Sequence, residues 1–347
     1  MAVRAFITGL AGTTLTAAER SFLREASPWG LILFKRNIAT PDQVVALVND
    51  VHHALGRADV PVLIDQEGGR VSRLVPPHWP HYPPGAAYGR IYERDPERGL
   101  AAARLGARLI ASDLSALGIT VDCLPVADVL MPGADPVIGD RAYGTTVAQV
   151  VAIAHAIAEG LMAGGVLPVL KHIPGHGRAT VDSHFRLPVV EAARADLAAT
   201  DFAAFSALKD LPLGMTAHVV YAAIDPNQPA TTSAIIVREV IRDTIGFDGA
   251  LMTDDIAMGA LSGSIAERTR AALAAGCDVI LHCNGNLEQM QQVASDAGDL
   301  EGAAAERTRA ALGARQQSTE IDSVAAWAEF SRIMDGVWAA SPRVSAT

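Results

Sequence analysis

Short apolar runs alternate along the chain with longer segments in which apolar residues recur at helical spacing. The apolar runs are predicted to be buried strands at residues 5–10, 30–34, 61–66, 119–126, 167–173, 213–220, 250–256 and 278–284. Helix start signals precede three of the intervening segments: Thr16 with Glu19, Thr40 with Pro41, and Ser264 with Glu267. This alternation is typical of a parallel α/β architecture, and eight strands with intervening helices predict a (β/α)₈ barrel.

A doubly wound open sheet of similar length would alternate in the same way, so the positions of polar residues decide between the two folds. Four of the runs end in reactive groups, at 65–67, 171–172, 218 and 254–255. Barrel enzymes place their chemistry at the carboxyl ends of the strands, where side chains from several strands converge. We therefore expect a single barrel over residues 1–300, with an irregular proline-rich loop at 75–96. Residues 301–347 are expected to form C-terminal helices packed on the barrel and a frayed tail.

Composition narrows the class of protein and its partners. The 347 residues carry 28 Lys and Arg against 38 Asp and Glu, a formal charge of −10, which argues against a nucleic-acid binder. Three cysteines, an odd number, favour a reducing compartment over a disulfide framework. The N-terminus lacks the long apolar region of a secretory signal, and no apolar stretch is long enough to span a membrane. We expect a cytoplasmic monomer that uses neither a cofactor nor a metal.

The densest polar segment runs from Lys171 to Pro188 and contains three histidines. Pro174, Gly175 and Gly177 are incompatible with a helix, which predicts a long loop after the fifth strand. Within it, Asp182 and His184 are spaced so that the carboxylate can orient the imidazole. The alternative is a solvated loop with structural hydrogen bonds only.

Two further segments place carboxylates at strand ends. In LMTDDIAMGAL, Asp254 and Asp255 point to opposite sides of a strand, so that one faces the barrel mouth while the other makes a structural contact, unless both merely begin the next helix. In LIDQEGGRVSRL, Asp65 ends a strand before the tight turn of residues 68–69, and Arg73 follows. A carboxylate and an arginine at a barrel mouth suit a polyhydroxyl ligand.

These segments, together with PVIGDRAYG at 136–144, resemble glycoside hydrolase family 3, specifically its single-domain bacterial β-N-acetylglucosaminidases of peptidoglycan recycling. The resemblance covers most of residues 1–300. It implies a (β/α)₈ barrel that removes terminal β-linked N-acetylglucosamine from a small saccharide or muropeptide with retention of configuration. By position, Asp254 matches the nucleophile, His184 the acid/base and Asp182 its partner. The sugar-binding positions are matched by Asp65, Arg73, Arg141, Lys171 and His172.

The histidine acid/base departs from the two carboxyl groups of most retaining glycosidases. An imidazole can give a proton to the leaving oxygen and then take one from water, while Asp182 stabilises the imidazolium. If His184 proved structural, Glu67 would be the next candidate. Because His184 lies on a loop bounded by glycine and proline, we expect it to enter the site when substrate binds.

Other interpretations of the histidines and of the function remain open from the sequence. His218 is expected to line the pocket and His176 to shape the loop, whereas five histidines are expected to be surface or packing residues: His52, His53, His78, His81 and His155. A metal-dependent barrel hydrolase, a phosphorylase of the same family and a non-catalytic sugar-binding protein are the alternatives. The metal-dependent reading is weak because no local spacing places three ligands on one rigid element.

Overall fold

The computed structural model describes residues 2–338 and contains a closed barrel. Ten strands are present in this part of the chain: β1 Arg4–Thr8, β2 Pro28–Leu33, β3 Val62–Ile64, β4 Val121–Asp122, β5 Leu167–Ile173, β6 Val189–Val190, β7 Leu213–Thr216, β8 Val220–Tyr221, β9 Ala250–Asp255 and β10 Val279–His282. Eight of them pair in parallel in the order β1-β10-β9-β7-β5-β4-β3-β2 and close on β1. The predicted (β/α)₈ barrel is confirmed. The remaining two, β6 and β8, form a small parallel sheet outside the barrel.

Helices surround the barrel. Their bounds are α1 Ala17–Ala26, α2 Pro41–Leu55, α3 Gly85–Tyr92, α4 Pro96–Ser115, α5 Val147–Ala163, α6 Arg194–Ala199, α7 Asp201–Ser206, α8 Ile265–Ala275, α9 Leu287–Ala297, α10 Gly302–Gly313 and α11 Ser323–Met334. A π-helical segment, Ile236–Thr244, lies between β8 and β9, and short 3₁₀ turns occur at Lys35–Asn37, Gly139–Arg141 and Ala230–Thr232. No helix within residues 2–338 combines the length and the apolar character that crossing a membrane requires.

The helix start signals work as the sequence predicts. Thr16 and Ser264 each form a capping box with a glutamate three residues later, and Thr40 caps α2 with Pro41 in its first turn. Each cap satisfies backbone N–H groups that the helix itself leaves without partners. Local hydrogen bonds therefore set where these three helices begin.

Two predictions about elements are wrong. The proline-rich stretch 75–96 is not irregular throughout, because α3 occupies Gly85–Tyr92 within it. The predicted strand 213–220 is divided: β7 ends at Thr216, and Val220 belongs to β8 in the outer sheet. The chain leaves the barrel between these two strands, so the second half of the apolar run packs outside it.

Apolar side chains fill the interior of the barrel and stop below its carboxyl end. Along β5, Leu167 and Val169 belong to this interior cluster, and Lys171 follows at the same two-residue spacing. Along β9, Ala250 and Met252 are followed in the same way by Asp254. The strand alternation therefore brings these two charged side chains up from the apolar interior to the mouth of the barrel.

The C-terminal helices pack against the rest of the molecule. Ala311 of α10 is buried in the interior cluster, and α10 contacts β9. On another side, Trp327 of α11 packs on Tyr82 with ring centroids 5.3 Å apart, and α11 contacts α4. The frayed tail predicted for the last residues lies outside the described part of the chain.

Candidate active site

A cavity of about 550 Å³ opens at the carboxyl end of the barrel strands. It is lined by all eight residues that the sequence singles out: Asp65, Arg73, Arg141, Lys171, His172, Asp182, His184 and Asp254. Ile32, Met215 and Leu281 of the barrel interior also line it. The cavity thus combines charged and apolar side chains at its walls, and apolar side chains of the barrel interior lie beneath it.

Lys171 is the centre of a buried charge network on one wall. Its side chain is 2% exposed, and its Nζ lies 3.0 Å from Asp65 Oδ1 and 2.6 Å from Glu67 Oε1. Arg73 Nη2 donates to the other oxygen of Asp65 at 2.9 Å. Burial alone would raise the pKa of Asp65, but the charges of Lys171 and Arg73 outweigh it and lower that pKa. Asp65 is therefore held as an ionised acceptor at the cavity wall.

Glu67 belongs to the same network through Arg141. The guanidinium donates from Nε and Nη2 to the two carboxylate oxygens, both at 2.8 Å. Burial would raise the pKa of Glu67, yet Arg141 and Lys171 lower it to about 2. A carboxylate held ionised in this way is a poor proton donor. The pairing thus disfavours Glu67 as the alternative acid/base, and its function here is to hold two cations in place.

The tight turn after β3 is built on glycine. Gly68 has φ +93°, and a Cβ added to it would lie 2.1 Å from the carbonyl oxygen of Pro83. Gly69 follows with φ +55°. Only glycine accepts such a conformation and such a close approach without strain. This turn lets Glu67 and Arg73, on either side of it, face the same cavity.

The two carboxylates at the end of β9 have different environments. Asp254 Oδ1 accepts the backbone N–H of Asp255 at 2.7 Å, and although burial opposes it, His218 and His172 lower the pKa of Asp254. Asp255 Oδ1 instead accepts the backbone N–H groups of Ala257 and Cys283, both at 3.1 Å. Burial raises the pKa of Asp255. Both residues line the cavity, but Asp254 is the better-ionised carboxylate and Asp255 the one engaged in loop structure.

His218 does not line the cavity, so the expectation that it would is wrong. It is fully buried, with Nε2 3.0 Å from the carbonyl oxygen of Asp255 and Nδ1 2.7 Å from Thr231 Oγ1. A carbonyl can only accept, so Nε2 carries the proton, and burial lowers the pKa of His218. His218 therefore supports the end of β9 from behind and does not contact the cavity.

The segment after β5 is a loop, as predicted, and it carries His184 and Asp182 to the cavity. Asp182 Oδ1 accepts both the backbone N–H and the Nδ1–H of His184, at 2.8 and 2.7 Å. Burial raises the pKa of Asp182, but the hydrogen bonds from His184 outweigh it and lower that pKa. The imidazole itself is 58% exposed. The pair therefore has the local geometry of an oriented proton-transfer group with access to solvent.

Contacts on both sides hold this loop against the barrel mouth. His176 Nε2 lies 3.0 Å from Ser183 Oγ, and the backbone N–H groups of Gly259 and Ala260 donate to the carbonyls of His184 and Ser183 at 3.1 and 3.2 Å. Gly177 permits the close approach beneath, since a Cβ there would lie 1.9 Å from the carbonyl oxygen of Val129. His176 also lines the cavity, and its contact with Ser183 agrees with the expected role in shaping the loop.

Asp128 is a component of the site that sequence reasoning missed. Its buried carboxylate lies 2.7 Å from His172 Nδ1, and it accepts the backbone N–H of His176 at 2.6 Å. The available signal was its position just after the fourth apolar run, where barrel strands present functional groups. Residues 124–126 obscured that signal because they continue the apolar pattern past the end of β4.

The five histidines that are expected at the surface or in packing stay away from the cavity. His52, His53, His78, His81 and His155 are absent from its lining, in agreement with their expected surface or packing roles. Within residues 2–338, no three His, Cys, Asp or Glu side chains are grouped so that they could hold a metal ion.

Comparisons with known proteins agree with this geometry. Residues 6–311 match the sequence model of the glycosyl hydrolase family 3 N-terminal domain. The chain is 41% identical over 280 residues to a beta-hexosaminidase of Alkalilimnicola ehrlichii, covering 80% of this chain and 79% of that protein. It is 42% identical over 279 residues to a beta-hexosaminidase of Methylococcus capsulatus, covering 79% and 81%.

Solved structures show the same barrel. The chain is similar to native NagZ from Neisseria gonorrhoeae, with a TM-score of 0.84 and 30% identity over 99% of both chains. It is also similar to that protein in complex with N-trifluoroacetyl-D-glucosamine, with a TM-score of 0.81 and 29% identity over 96% of this chain and 99% of the other. The cavity, the charge network and the relatives lead to one conclusion: the chain belongs to glycosyl hydrolase family 3 and is a glycoside hydrolase of its beta-hexosaminidase type.

Proposed function

We propose that the protein is a retaining exo-β-N-acetylglucosaminidase that removes terminal β-linked N-acetylglucosamine from peptidoglycan-derived muropeptides through a covalent glycosyl-enzyme. The observation that carries the proposal is that Asp254 and the Asp182–His184 pair line one cavity from two separately anchored segments. A retaining mechanism needs a nucleophile and a group that is first acid and then base. The end of β9 supplies the nucleophile, and the loop after β5 supplies the group that is acid and then base.

Asp254 is the nucleophile in this proposal. Its pKa is lowered although burial opposes ionisation, so it is an anion at neutral pH, and it lies at the end of β9 on the face of the barrel interior. Its Oδ1 is occupied by the backbone N–H of Asp255. The other oxygen remains for attack on the anomeric carbon, and the hydrogen bond keeps the carboxylate from rotating.

His184 is the acid and then the base. Ionised Asp182 accepts the Nδ1–H, which leaves Nε2 for the glycosidic oxygen. In the first step Nε2–H of the imidazolium protonates the leaving oxygen as Asp254 attacks. In the second step neutral Nε2 takes a proton from water, which attacks the glycosyl-enzyme and restores the imidazolium. Asp182 stabilises the imidazolium in both steps without becoming protonated.

The terminal sugar is bound by the charged wall. Asp65, with Lys171 and Arg73 on its two oxygens, and Arg141 with His172 present ionised and polar groups to the cavity. Hydrogen bonds from hydroxyls to ionised groups are the stronger ones. Because the barrel interior closes the cavity from below, only the end of a saccharide can enter, which supports exo cleavage.

The leaving group lies beside Phe185. The acid must touch the glycosidic oxygen, so whatever leaves is placed next to His184, and the Phe185 ring lies 6.5 Å from the His184 ring. Its side chain is 78% exposed yet lines the cavity. An exposed aromatic face at this position suits a sugar ring, such as the muramic acid of a muropeptide. The N-acetylglucosamine preference is supported by the beta-hexosaminidase relatives and by the N-trifluoroacetyl-D-glucosamine bound to a similar structure.

We place this enzyme in the cytoplasm as a monomer, with residues 1–300 as the catalytic barrel and 301–347 as a C-terminal helical extension. The free thiols of Cys123, Cys277 and Cys283 fit a reducing compartment. The helical extension is supported by the packing of α10 and α11 on the barrel and on α4.

Trapping the intermediate tests the proposed mechanism. The protein is incubated with a 2-fluoro or 5-fluoro N-acetylglucosamine-type donor carrying a good leaving group, digested and mapped by mass spectrometry. We expect the label on Asp254 and none in an Asp254→Asn variant. Labelling of Asp255, or no label while turnover continues, would remove Asp254 from this role. Comparing p-nitrophenyl β-N-acetylglucosaminide with the β-glucoside, with and without phosphate, tests the sugar preference and separates hydrolysis from phosphorolysis.

A further inference from the structure

Asp128 connects His172, the proposed sugar-binding residue, to the beginning of the loop that follows β5 and carries Asp182 and His184, here called the catalytic loop. It follows β4, where the chain runs alongside β5: Val126 forms a bridge with Lys171, and the backbone N–H of Ala127 donates to the Lys171 carbonyl at 2.8 Å. The side chain of Asp128 is completely buried. It does not line the cavity, so any effect it has on substrate passes through other residues.

Each carboxylate oxygen of Asp128 has its own donor. Oδ2 lies 2.7 Å from His172 Nδ1. Oδ1 accepts the backbone N–H of His176 at 2.6 Å and, more distantly, that of His172 at 3.4 Å. Although burial would raise the pKa of Asp128, the interaction with His172 lowers it. An ionised carboxylate can only accept, so the proton of the His172 ring on this side must lie on Nδ1.

The opposite nitrogen of His172 faces the cavity wall. Arg141 Nη2, which can only donate, lies 3.5 Å from His172 Nε2. A lone pair on Nε2 is compatible with that neighbour, whereas an N–H on Nε2 would point at another N–H. The neutral ring with its proton on Nδ1 therefore donates to Asp128 and avoids an N–H that faces Arg141. Because Arg141 approaches Nε2 only to 3.5 Å and already donates from Nη2 to Glu67 at 2.8 Å, the Nε2 lone pair is free to accept a hydrogen bond from a sugar hydroxyl.

We propose that Asp128 is a positioning residue that holds His172 in the Nδ1–H tautomer, so that Nε2 accepts a hydrogen bond from the terminal sugar, and that the same carboxylate ties this histidine to the start of the catalytic loop at His176. The inference rests on the proposed role of His172 in sugar binding. Carboxylates that accept a hydrogen bond from a metal-bound or catalytic histidine fix the tautomer and the ring orientation of that histidine. In this proposal the buried Asp128 has the same function.

Replacing Asp128 by asparagine separates its two contacts. The amide oxygen has to stay on the backbone N–H of His176, because an amide N–H there would meet another N–H at 2.6 Å. The amide NH₂ then faces His172 Nδ1 and forces it to become the acceptor. The ring proton moves to Nε2, toward Arg141 Nη2. Asp128→Asn thus keeps the loop anchor and inverts the tautomer of His172.

The first measurement needs no variant. In the native full-length protein labelled with ¹⁵N-histidine, the His172 signals, assigned by their loss in His172→Ala, should show a protonated Nδ1 and an unprotonated Nε2. In Asp128→Asn the two nitrogens should exchange these shifts. A native His172 protonated on Nε2 alone would overturn the proposal even if no variant folds.

Kinetics with p-nitrophenyl β-N-acetylglucosaminide supply the functional test. We expect Asp128→Asn to lower kcat/KM by about 10–100-fold, mainly through a higher KM; this is the size of effect that follows when the carboxylate behind a metal-bound histidine is removed. In the His172→Ala background the same substitution should cause no further loss, because its route to the substrate is already gone. Asp278→Asn is the matched control, since Asp278 is also a buried carboxylate, paired with Arg242 and Arg307 away from the cavity. It should leave KM unchanged.

Two outcomes contradict the proposal. If Asp128→Asn loses as much activity in the His172→Ala background as alone, Asp128 acts on the loop through His176 and not on the tautomer. If it leaves kcat/KM within twofold of the native value, His172 does not need it. Failure of the proposed sugar-binding role is recognised separately: His172→Ala would then bind and cleave the substrate normally, while the tautomer measurement would still report on Asp128.

Discussion

Lys171→Met removes the cation at the centre of the charged wall while keeping a side chain of similar length. The native Nζ lies 2.6 Å from one carboxylate and 3.0 Å from another, and the side chain is 2% exposed. At an effective dielectric constant of about 20, each contact has a gross Coulomb energy of about 5–6 kcal/mol, before the cost of burying the charges. Removing one partner of a buried ion pair usually costs about 3–5 kcal/mol. Because Arg73 still pairs with Asp65 and Arg141 with Glu67, we expect about 3 kcal/mol at pH 7.

The pH dependence of this loss identifies its cause. In the native protein the pKa of Glu67 is lowered from 4.5 to about 2, so the stability it contributes is complete above about pH 4.5 and is lost as pH falls toward 2. Without Lys171 that pKa rises only part of the way back toward 4.5, because Arg141 still pairs with Glu67. The difference in unfolding free energy between native protein and variant should therefore be constant above about pH 4.5 and shrink as pH falls further toward 2.

Urea unfolding followed by circular dichroism at pH 7 and pH 3 measures the difference, with matched Lys209→Met as the control because Lys209 is exposed. The control should stay within about 0.5 kcal/mol of the native protein at both pH values. A loss from Lys171→Met below about 1 kcal/mol at pH 7 would contradict the reasoning. So would a loss that is equally large at pH 3, because it would then come from packing and not from unpaired carboxylates.

Three other predictions concern the catalytic loop. His184→Ala should lose far less activity in the glycosylation step with a dinitrophenyl leaving group than with an alcohol leaving group. Azide should restore turnover and yield a β-glycosyl azide. Equal losses for both leaving groups, without rescue by azide, would make His184 a structural residue. Phe185→Ala should lower kcat/KM for a disaccharide about fivefold, which corresponds to about 1 kcal/mol of lost apolar contact. It should leave kcat/KM for the glycosyl fluoride unaffected, because fluoride offers no ring to contact. A similar loss with both substrates would contradict a role of Phe185 in binding the leaving group. Burial lowers the pKa of His176 to about 4, so as pH falls from 6.5 the unfolded chain takes up a proton before the folded protein does, and the free energy of unfolding drops by up to about 3 kcal/mol. His176→Gln should remove this drop between pH 6.5 and 4. Urea unfolding that gives parallel pH curves for the variant and the native protein would refute the prediction.

The sequence alone determined the architecture and the main polar segments of the cavity. Strand alternation acts over two residues, and helix caps act over three, as in the box formed by Thr16 and Glu19. Because these patterns involve residues close together in the chain, they can be recognised in the sequence without knowledge of the fold. The loop that carries Asp182 and His184 was predictable for the same reason, because Pro174, Gly175 and Gly177 exclude a helix and a spacing of two residues lets the pair bond.

Tertiary structure decided which of these groups meet and what state each is in. Glu67 follows a strand end, which makes it the alternative candidate for the acid/base in the sequence. Arg141, 74 positions away, binds both of its carboxylate oxygens and keeps it ionised. Asp128 reaches His172 across 44 positions, and no local pattern marks that contact. The run ending in His218 left the barrel early, so the ring packs behind β9 instead of facing the cavity. Each outcome depends on where the barrel register and the loop paths place distant residues, and pKa and hydrogen-bond partners follow from that placement, not from neighbours in the chain.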